Sequence, residues 1–299
     1  MSRLLATWDR LWFAPVPAEP LGRMRLTLGL LLLWWWAWLW PELGMLFHDG
    51  GVVDPRLIGD HWTPYRWDVL QGWSLPALQL GHLLGLGVIA AYAAGLATPV
   101  TKWLVPVLLV AVLHRSPWAW NGGDRLIRIW ALMMALTPCG AAWSVDAWLR
   151  QRWGWARRCE VPVLGLRLVQ LQLLVMYLWT GIDKLRYGAW HDGSAVYYAM
   201  SEGNFSRAAW LIDPVMQSAA GWPLSALLVV FTLVFEVGFV VGALHPITRR
   251  ATLVAGALLH GGIFATLSVG MFGPASVWGY QAFLGDPTLP SRSGDDPVS

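Results

Sequence analysis

Leu224–Leu244 reads LSALLVVFTLVFEVGFVVGAL, an apolar run whose only charge is Glu236. A segment needs about 20 predominantly apolar residues to cross about 30 Å of hydrocarbon, and this one meets that length. The composition of the whole chain agrees with it. Of 299 residues 56% are hydrophobic and 13% charged, with a mean hydropathy of +0.48. A soluble domain of this length would be about a quarter charged. The expected fold class is therefore all-α: a polytopic transmembrane helical bundle.

Working outward, a first span follows Arg23 and Arg25 through LTLGLLLLWWWAWLW to Leu46, and a second runs from Leu75 to Ala97, before Pro99. A shorter third spans Thr101–Leu113 and a fourth Asp124–Thr137. The fifth is Val161–Leu185, and the seventh, after the opening stretch, Ala251–Met271. Phe272–Leu284 suits a short eighth span or a half-inserted helix, so seven or eight spans are expected. Residues 2–13 place Leu4, Leu5, Trp8, Leu11 and Trp12 at helical spacing, opposite Arg3, Asp9 and Arg10. That pattern predicts a short helix lying in the membrane interface. Three regions result: an interfacial helix over 1–20, the transmembrane domain over 21–285, and a disordered cytoplasmic tail over 286–299.

Lys and Arg in short loops set the orientation. Lys102, Arg150, Arg152, Arg157, Arg158, Arg249 and Arg250 all fall on one side if the N-terminus is cytoplasmic. The loops 45–74, 114–123 and 186–223 then face outward, with their few Arg residues balanced by acids. The expected location is a bacterial-type inner membrane. The formal charge of +3 follows from those loop arginines and suggests no nucleic acid. No cleavable signal is expected, because Asp9 and Arg10 interrupt the stretch before Pro15. Cys139 and Cys159, both on the cytoplasmic side, read as thiols. Many of the 23 Trp, such as Trp34, Trp103, Trp118, Trp143 and Trp153, flank the apolar runs, as an aromatic belt does.

An ionisable side chain inside a span costs about 2.5–3.5 kcal/mol on insertion scales, so each needs a partner, water or a purpose. Asp183 and Lys184 close the fifth span, and Asp124, Arg125 and Arg128 open the fourth. Asp124 and Arg128, four apart, are placed to pair across one helical turn. Glu236 is either neutral and hydrogen-bonded or paired across helices with His260 or Lys184. Tyr177, Thr180 and Lys184 share one face, and Gly181 lets a backbone or ligand approach. A partly desolvated Lys184 can act as a general base, whereas a Lys at a helix end can also snorkel to the headgroups. His48, His61 and His191 face outward, and the triplet HDG occurs at His48–Gly50 and His191–Gly193. It suits turns and helix caps, and no metal site is expected.

The stretch Tyr177–Met200, YLWTGIDKLRYGAWHDGSAVYYAM, resembles the signature of the HTTM family, the membrane proteins that include the vitamin K-dependent γ-carboxylases. Its elements are Tyr177, Gly181, Lys184-Leu185, Trp190 and Gly193. Asn121–Asp124 followed by Trp143–Asp146 (WSVD), and His260 followed by Ser268–Phe272, resemble two further blocks in order, so the likeness covers residues 20–285. The resemblance implies that Lys184 is the base that deprotonates a reduced quinone of the vitamin K or menaquinone type. Oxygenation of that quinone then drives removal of a γ-proton from peptide glutamate, and CO2 adds. Tyr177, Thr180, Asp183, Trp190, Asp124, Arg128, Glu236 and His260 would support the pocket. The carboxylase pattern has a His where this chain has Gly123, and none of these 299 residues is expected to fold into the family's large extramembrane domain.

Three readings stand open. One is a quinol-dependent oxygenase, epoxidase or carboxylase-like lyase centred on Lys184. Another is an accessory protein for maturing a secreted peptide, with a redox partner protein. The third is a non-catalytic lipid- or quinone-binding subunit of a membrane complex.

Overall fold

In the computed structural model the chain is helical apart from one short strand pair over the described residues, which are 2–52, 68–155, 159–201 and 205–290. It divides into two compact units, Met1–Gly165 and Leu166–Ser299. His61 and the loop arginines Arg157 and Arg158 lie outside the described residues.

The first unit opens with α1 (Ser2–Phe13), where Leu4, Leu5, Trp8 and Leu11 are exposed. A short strand, β1 (Pro15–Pro17), pairs antiparallel with β2 (Glu160–Pro162). Then come α2 (Glu19–Trp38), a 3-10 turn at Trp40–Glu42 and α3 (Leu43–Phe47). The chain bends by 41° between α2 and that turn. Pro41 explains the break, since it has no N–H and its ring clashes with the carbonyl four residues earlier. α4 (Leu75–Ala94), α5 (Thr98–Arg115), α6 (Gly122–Ala135) and α7 (Val145–Arg152) complete the unit.

The second unit is built on α8 (Leu164–Lys184), α9 (Gly188–His191), α10 (Ala195–Ser201), α11 (Ala209–Met216), α12 (Gly221–Leu244), α13 (Arg249–Thr266), α14 (Phe272–Gly279) and α15 (Gln281–Leu284).

Three helices, α4, α8 and α12, are long and apolar enough to cross a membrane, and the bent pair α2–α3 makes a fourth if counted as one span. The larger expected number is not met by length and composition among the described residues. α5 and α13 have 18 residues each. α6 has 14, or about 21 Å at 1.5 Å per residue, against about 30 Å of hydrocarbon. Residues 272–284 form two short helices, α14 and α15, meeting at Tyr280.

The start of the first span is also earlier than expected. α2 begins at Glu19, with Pro20 in its first turn, and Arg25 is completely buried. Its guanidinium donates to the carbonyls of Ala93, Cys139 and Trp143. Ala93 lies in the last turn of α4, where a carbonyl has no partner within its own helix, so a cation supplies both the donor and a favourable charge. The WSVD block holds the adjacent corner. Asp146 accepts from Ala97 N at 2.9 Å and Thr98 N at 2.7 Å, capping α5, while Ser144 caps α7 through Ala147 N.

Asp124 does not pair with Arg128. Its carboxylate accepts from Asn121 N at 3.0 Å in a reciprocal capping box and takes a further hydrogen bond from the Trp35 side chain. Capping wins because the first-turn amides are close and otherwise unpaired. Gly123 is buried in the same turn and donates to Asn121 Oδ1. Trp35 and Trp36 are buried, unlike the exposed Trp34, Trp103, Trp143, Trp153 and Trp155. Cys139 is buried and Cys159 exposed, with no disulfide between them. The packed chain continues past 285, since Asp286 is buried, accepts a hydrogen bond from Gln170 and forms an ion pair with Arg167. The remainder of the expected tail, 291–299, lies outside the described residues.

Candidate functional site

Lys184 is the last residue of α8, a position where the helix dipole favours a cation. Its ammonium does not run outward. It lies 2.9 Å and 2.7 Å from the two carboxylate oxygens of Glu236, midway along α12. The side chains are 23% and 7% exposed, so the charge-assisted bonds are only partly screened by water. Of the alternatives open for Glu236, the structure selects the cross-helix pair with Lys184.

Two features bring the partners within reach. Gly181 lies one turn before Lys184, and a methyl there would sit 2.9 Å from Val237 Cγ2 and 3.2 Å from Val237 N. Only a residue without Cβ allows α8 so close to α12 at this level. The loop after α8 then folds back, placing the Trp190 ring 5.2 Å from Lys184 Nζ in a cation–π arrangement. That loop is tied to α12 by the buried Ser225, whose hydroxyl donates to Gly193 O at 2.6 Å and accepts from Tyr197 N at 2.8 Å. The second HDG triplet serves this turn: Asp192 accepts from Ser194 N, and His191 Nε2 contacts Leu185 O.

Beside the ion pair is a second, buried polar cluster. Tyr177 Oη lies 2.6 Å from His260 Nε2 and 2.5 Å from Tyr280 Oη. His260 Nδ1 is buried and has no hydrogen-bond partner. Phe235 and Phe239 pack on Tyr177 with centroids at 5.3 and 4.2 Å. Lys184 and Glu236 lie within electrostatic range of this cluster, Lys184 acting on His260 and Glu236 on both tyrosines.

Most of the expected pocket residues of this unit are thus brought together: Lys184, Glu236 and Trp190 in one layer, Tyr177 and His260 in the next. Thr180 is not drawn in, because its hydroxyl turns back to Tyr177 O at 3.3 Å. Asp183 sits at the rim, 3.7 Å from Arg186, with 42% of its side chain exposed. Asp124 and Arg128 belong to α6 in the first unit, where Asp124 has the capping role described above.

Tyr280 and Gly256 were not legible in the sequence. Tyr280 sits in a segment with no clear periodicity. Gly256, however, lies four residues before His260 and so on the same face of α13. A methyl on Gly256 would collide with Tyr280 Oη and approach Phe235 Cζ to 2.6 Å. Gly256→Ala is expected to cost about 1–3 kcal/mol by overpacking, read as a lower midpoint in detergent-phase thermal unfolding. An unchanged midpoint would show that Tyr280 can move aside without cost.

A family model described as HTTM domain matches residues 13–285. No curated protein and no solved structure gives a match. The match takes in α2 through α15, both polar layers and the WSVD corner, and on it the chain belongs to the HTTM-domain family.

Proposed function

We propose that the Lys184–Glu236 pair handles protons at a reduced-quinone site, and that the chain is a membrane enzyme of quinol oxygenation resembling the vitamin K-dependent γ-carboxylases. The observation that supports it most is the pair itself: a Lys–Glu contact of 2.7 Å, faced by Trp190 and backed by the Tyr177–His260–Tyr280 cluster. Two features would suit a planar ring carrying hydroxyls: the Trp190 ring beside Lys184, and His260 Nδ1, a buried polar atom without a hydrogen-bond partner among the described residues. A reduced quinone (hydroquinone) of the vitamin K or menaquinone type, when bound, would supply the electrons for its own oxygenation by O2 to an epoxide.

In the resting pair the ammonium of Lys184 has no lone pair to offer. Glu236 therefore takes up a proton at a carboxylate oxygen while Lys184 stays positive. Alternatively Lys184 passes its proton to Glu236 first and accepts the next one. Both routes leave the pair with one net positive charge, which stabilises an oxyanion beside it. Apolar walls strengthen that interaction by keeping water away.

We further read α5, α6 and α13 as additional spans and the N-terminus as cytoplasmic in a bacterial-type inner membrane. Arg150 and Arg152, with Arg249 and Arg250, support that orientation.

Purified protein incubated with oxygen and reduced menaquinone or vitamin K is expected to form epoxide. Lys184→Ala and Glu236→Gln are each expected to lower the rate by about 10²–10⁴-fold. Absence of epoxide from the wild type, or an equal yield from Lys184→Ala, would overturn the enzyme reading. A second reading has its own support: both Glu236 oxygens are already engaged by Lys184, as in a structural clasp. The chain would then be an accessory protein for maturing a secreted peptide, alongside a redox partner, or a subunit of a membrane complex. A small secreted peptide or redox protein encoded next to it, together with no turnover, would favour that reading.

A further inference from the structure

A cleft of about 600 Å³ opens in the first unit between the start of α5 and the turn after α6. Lys102 and Arg150 both line it, and no acidic residue does. Lys102 Nζ donates to Thr137 O at 2.9 Å and lies 5.7 Å from the Trp103 ring, so no carboxylate neutralises it. The nearest acid in sequence to Arg150 is Asp146, one turn earlier, and both its oxygens accept from the backbone of Ala97 and Thr98. Thr98, only 3% exposed, also lines the cleft, and its hydroxyl has no hydrogen-bond partner. Two cations and a buried unsatisfied hydroxyl thus converge on one opening, a donor set that suits an anion. An unpaired buried hydroxyl is costly unless something binds it.

The surroundings identify the source of that anion. Val100, Trp103, Leu104 and Val107 are exposed along one face of α5 at helical spacing. Trp103 belongs both to this apolar stripe and to the cleft lining. A phosphate seated between Lys102 and Arg150 would have its acyl chains continue onto that stripe. Free phosphate would use only the cleft.

We infer that the cleft at Thr98, Lys102 and Arg150 seats the phosphate of an anionic lipid headgroup, with the lipid chains lying along α5. Basic pockets between membrane helices bind such headgroups, and a Lys or Arg near an anionic membrane surface contributes about 1 kcal/mol. The site is separate from Lys184 and stands whether or not quinol chemistry does.

The full chain in detergent can be titrated with dioctanoyl-phosphatidylglycerol, dioctanoyl-phosphatidylcholine or inorganic phosphate, and bound lipid counted by native mass spectrometry. The glycerol lipid is expected to bind more tightly than the choline lipid. Arg150→Gln is expected to weaken the glycerol lipid about fivefold, the equivalent of one surface charge, and to leave the choline lipid unchanged. Arg150→Lys should retain binding. Among the described residues the Arg150 side chain has no hydrogen bond or ion pair to lose, so an unaltered unfolding midpoint checks that the fold survives. Equal affinity for both lipids, or no effect of Arg150→Gln, overturns the site. Inorganic phosphate binding as tightly as the glycerol lipid overturns the lipid as its occupant.

Discussion

Lys184→Met is expected to cost about 3 kcal/mol of stability, and combining it with Glu236→Leu to restore most of the loss. The single change leaves Glu236, 5% exposed and flanked by Phe235 and Val237, without its partner in an apolar span. Glu236 can escape part of the penalty by taking a proton, so the loss is capped near the insertion cost of one carboxyl group. The double change removes both charges and fills the space with apolar atoms of similar size, which is often neutral or favourable. Unfolding of the detergent-solubilised protein, followed for wild type, both single variants and the double, gives the coupling directly. Strictly additive costs would mean that the 2.7 Å contact contributes nothing. The same four proteins separate the two functional readings. A clasp loses stability but has no turnover to lose, whereas a proton-handling pair loses both in the single variants and recovers only stability in the double.

Arg115→Met should be as damaging, at about 3–5 kcal/mol, the usual cost of removing one member of a buried charge cluster. Arg115 is fully buried at the end of α5. Its Nε donates to Phe47 O at 2.7 Å, and its two terminal nitrogens meet Asp68 at 3.0 Å and Asp49 at 2.6 Å. Asp49 is the acid of the first HDG triplet, and its other oxygen accepts from Gly72 N at 3.0 Å. Ser116 adds a hydrogen bond to Leu46 O. One planar fork thus fastens α3, the end of α5 and the backbone at 68–72. Asp68, with 9% of its side chain exposed, would suffer most from losing it, while the half-exposed Asp49 can turn to water. Arg115→Lys keeps the charge but reaches fewer acceptors, so an intermediate loss is expected. Thermal unfolding and protease sensitivity of the three proteins test the order wild type, Lys, Met. A Met variant as stable as wild type would remove the cluster from the account of this fold.

The sequence reading went furthest where the information is local. Leu224–Leu244 needed no partner to be read as a helix, because its apolar length sets a preference that packing does not reverse. Tyr177 and Lys184 could be assigned to one face of α8 from their spacing. The sequence places Asp124 at a helix start but does not fix its partner. A side chain there chooses between Arg128 one turn on and the free amides of its own first turn, and geometry close to the backbone decided for the amides. Sequence alone puts Arg25 just ahead of the first span, because positive charge commonly marks a span's edge. In the fold it is buried, since the orphan carbonyl of Ala93 and those of Cys139 and Trp143 converge on it from segments far apart in sequence.

The sequence by itself determined the all-helical membrane class, the placement of the long helices and the list of polar residues that their apolar surroundings must accommodate. Only the tertiary structure decided which of those residues meet. Glu236 chose Lys184 over His260, Tyr177 took His260 together with Tyr280, and Asp183 was left at the rim. The reason is that periodicity fixes the face of one helix, while a partner on another helix depends on how closely the two can approach. Here that approach is set by Gly181 against Val237 and by Gly256 against Tyr280.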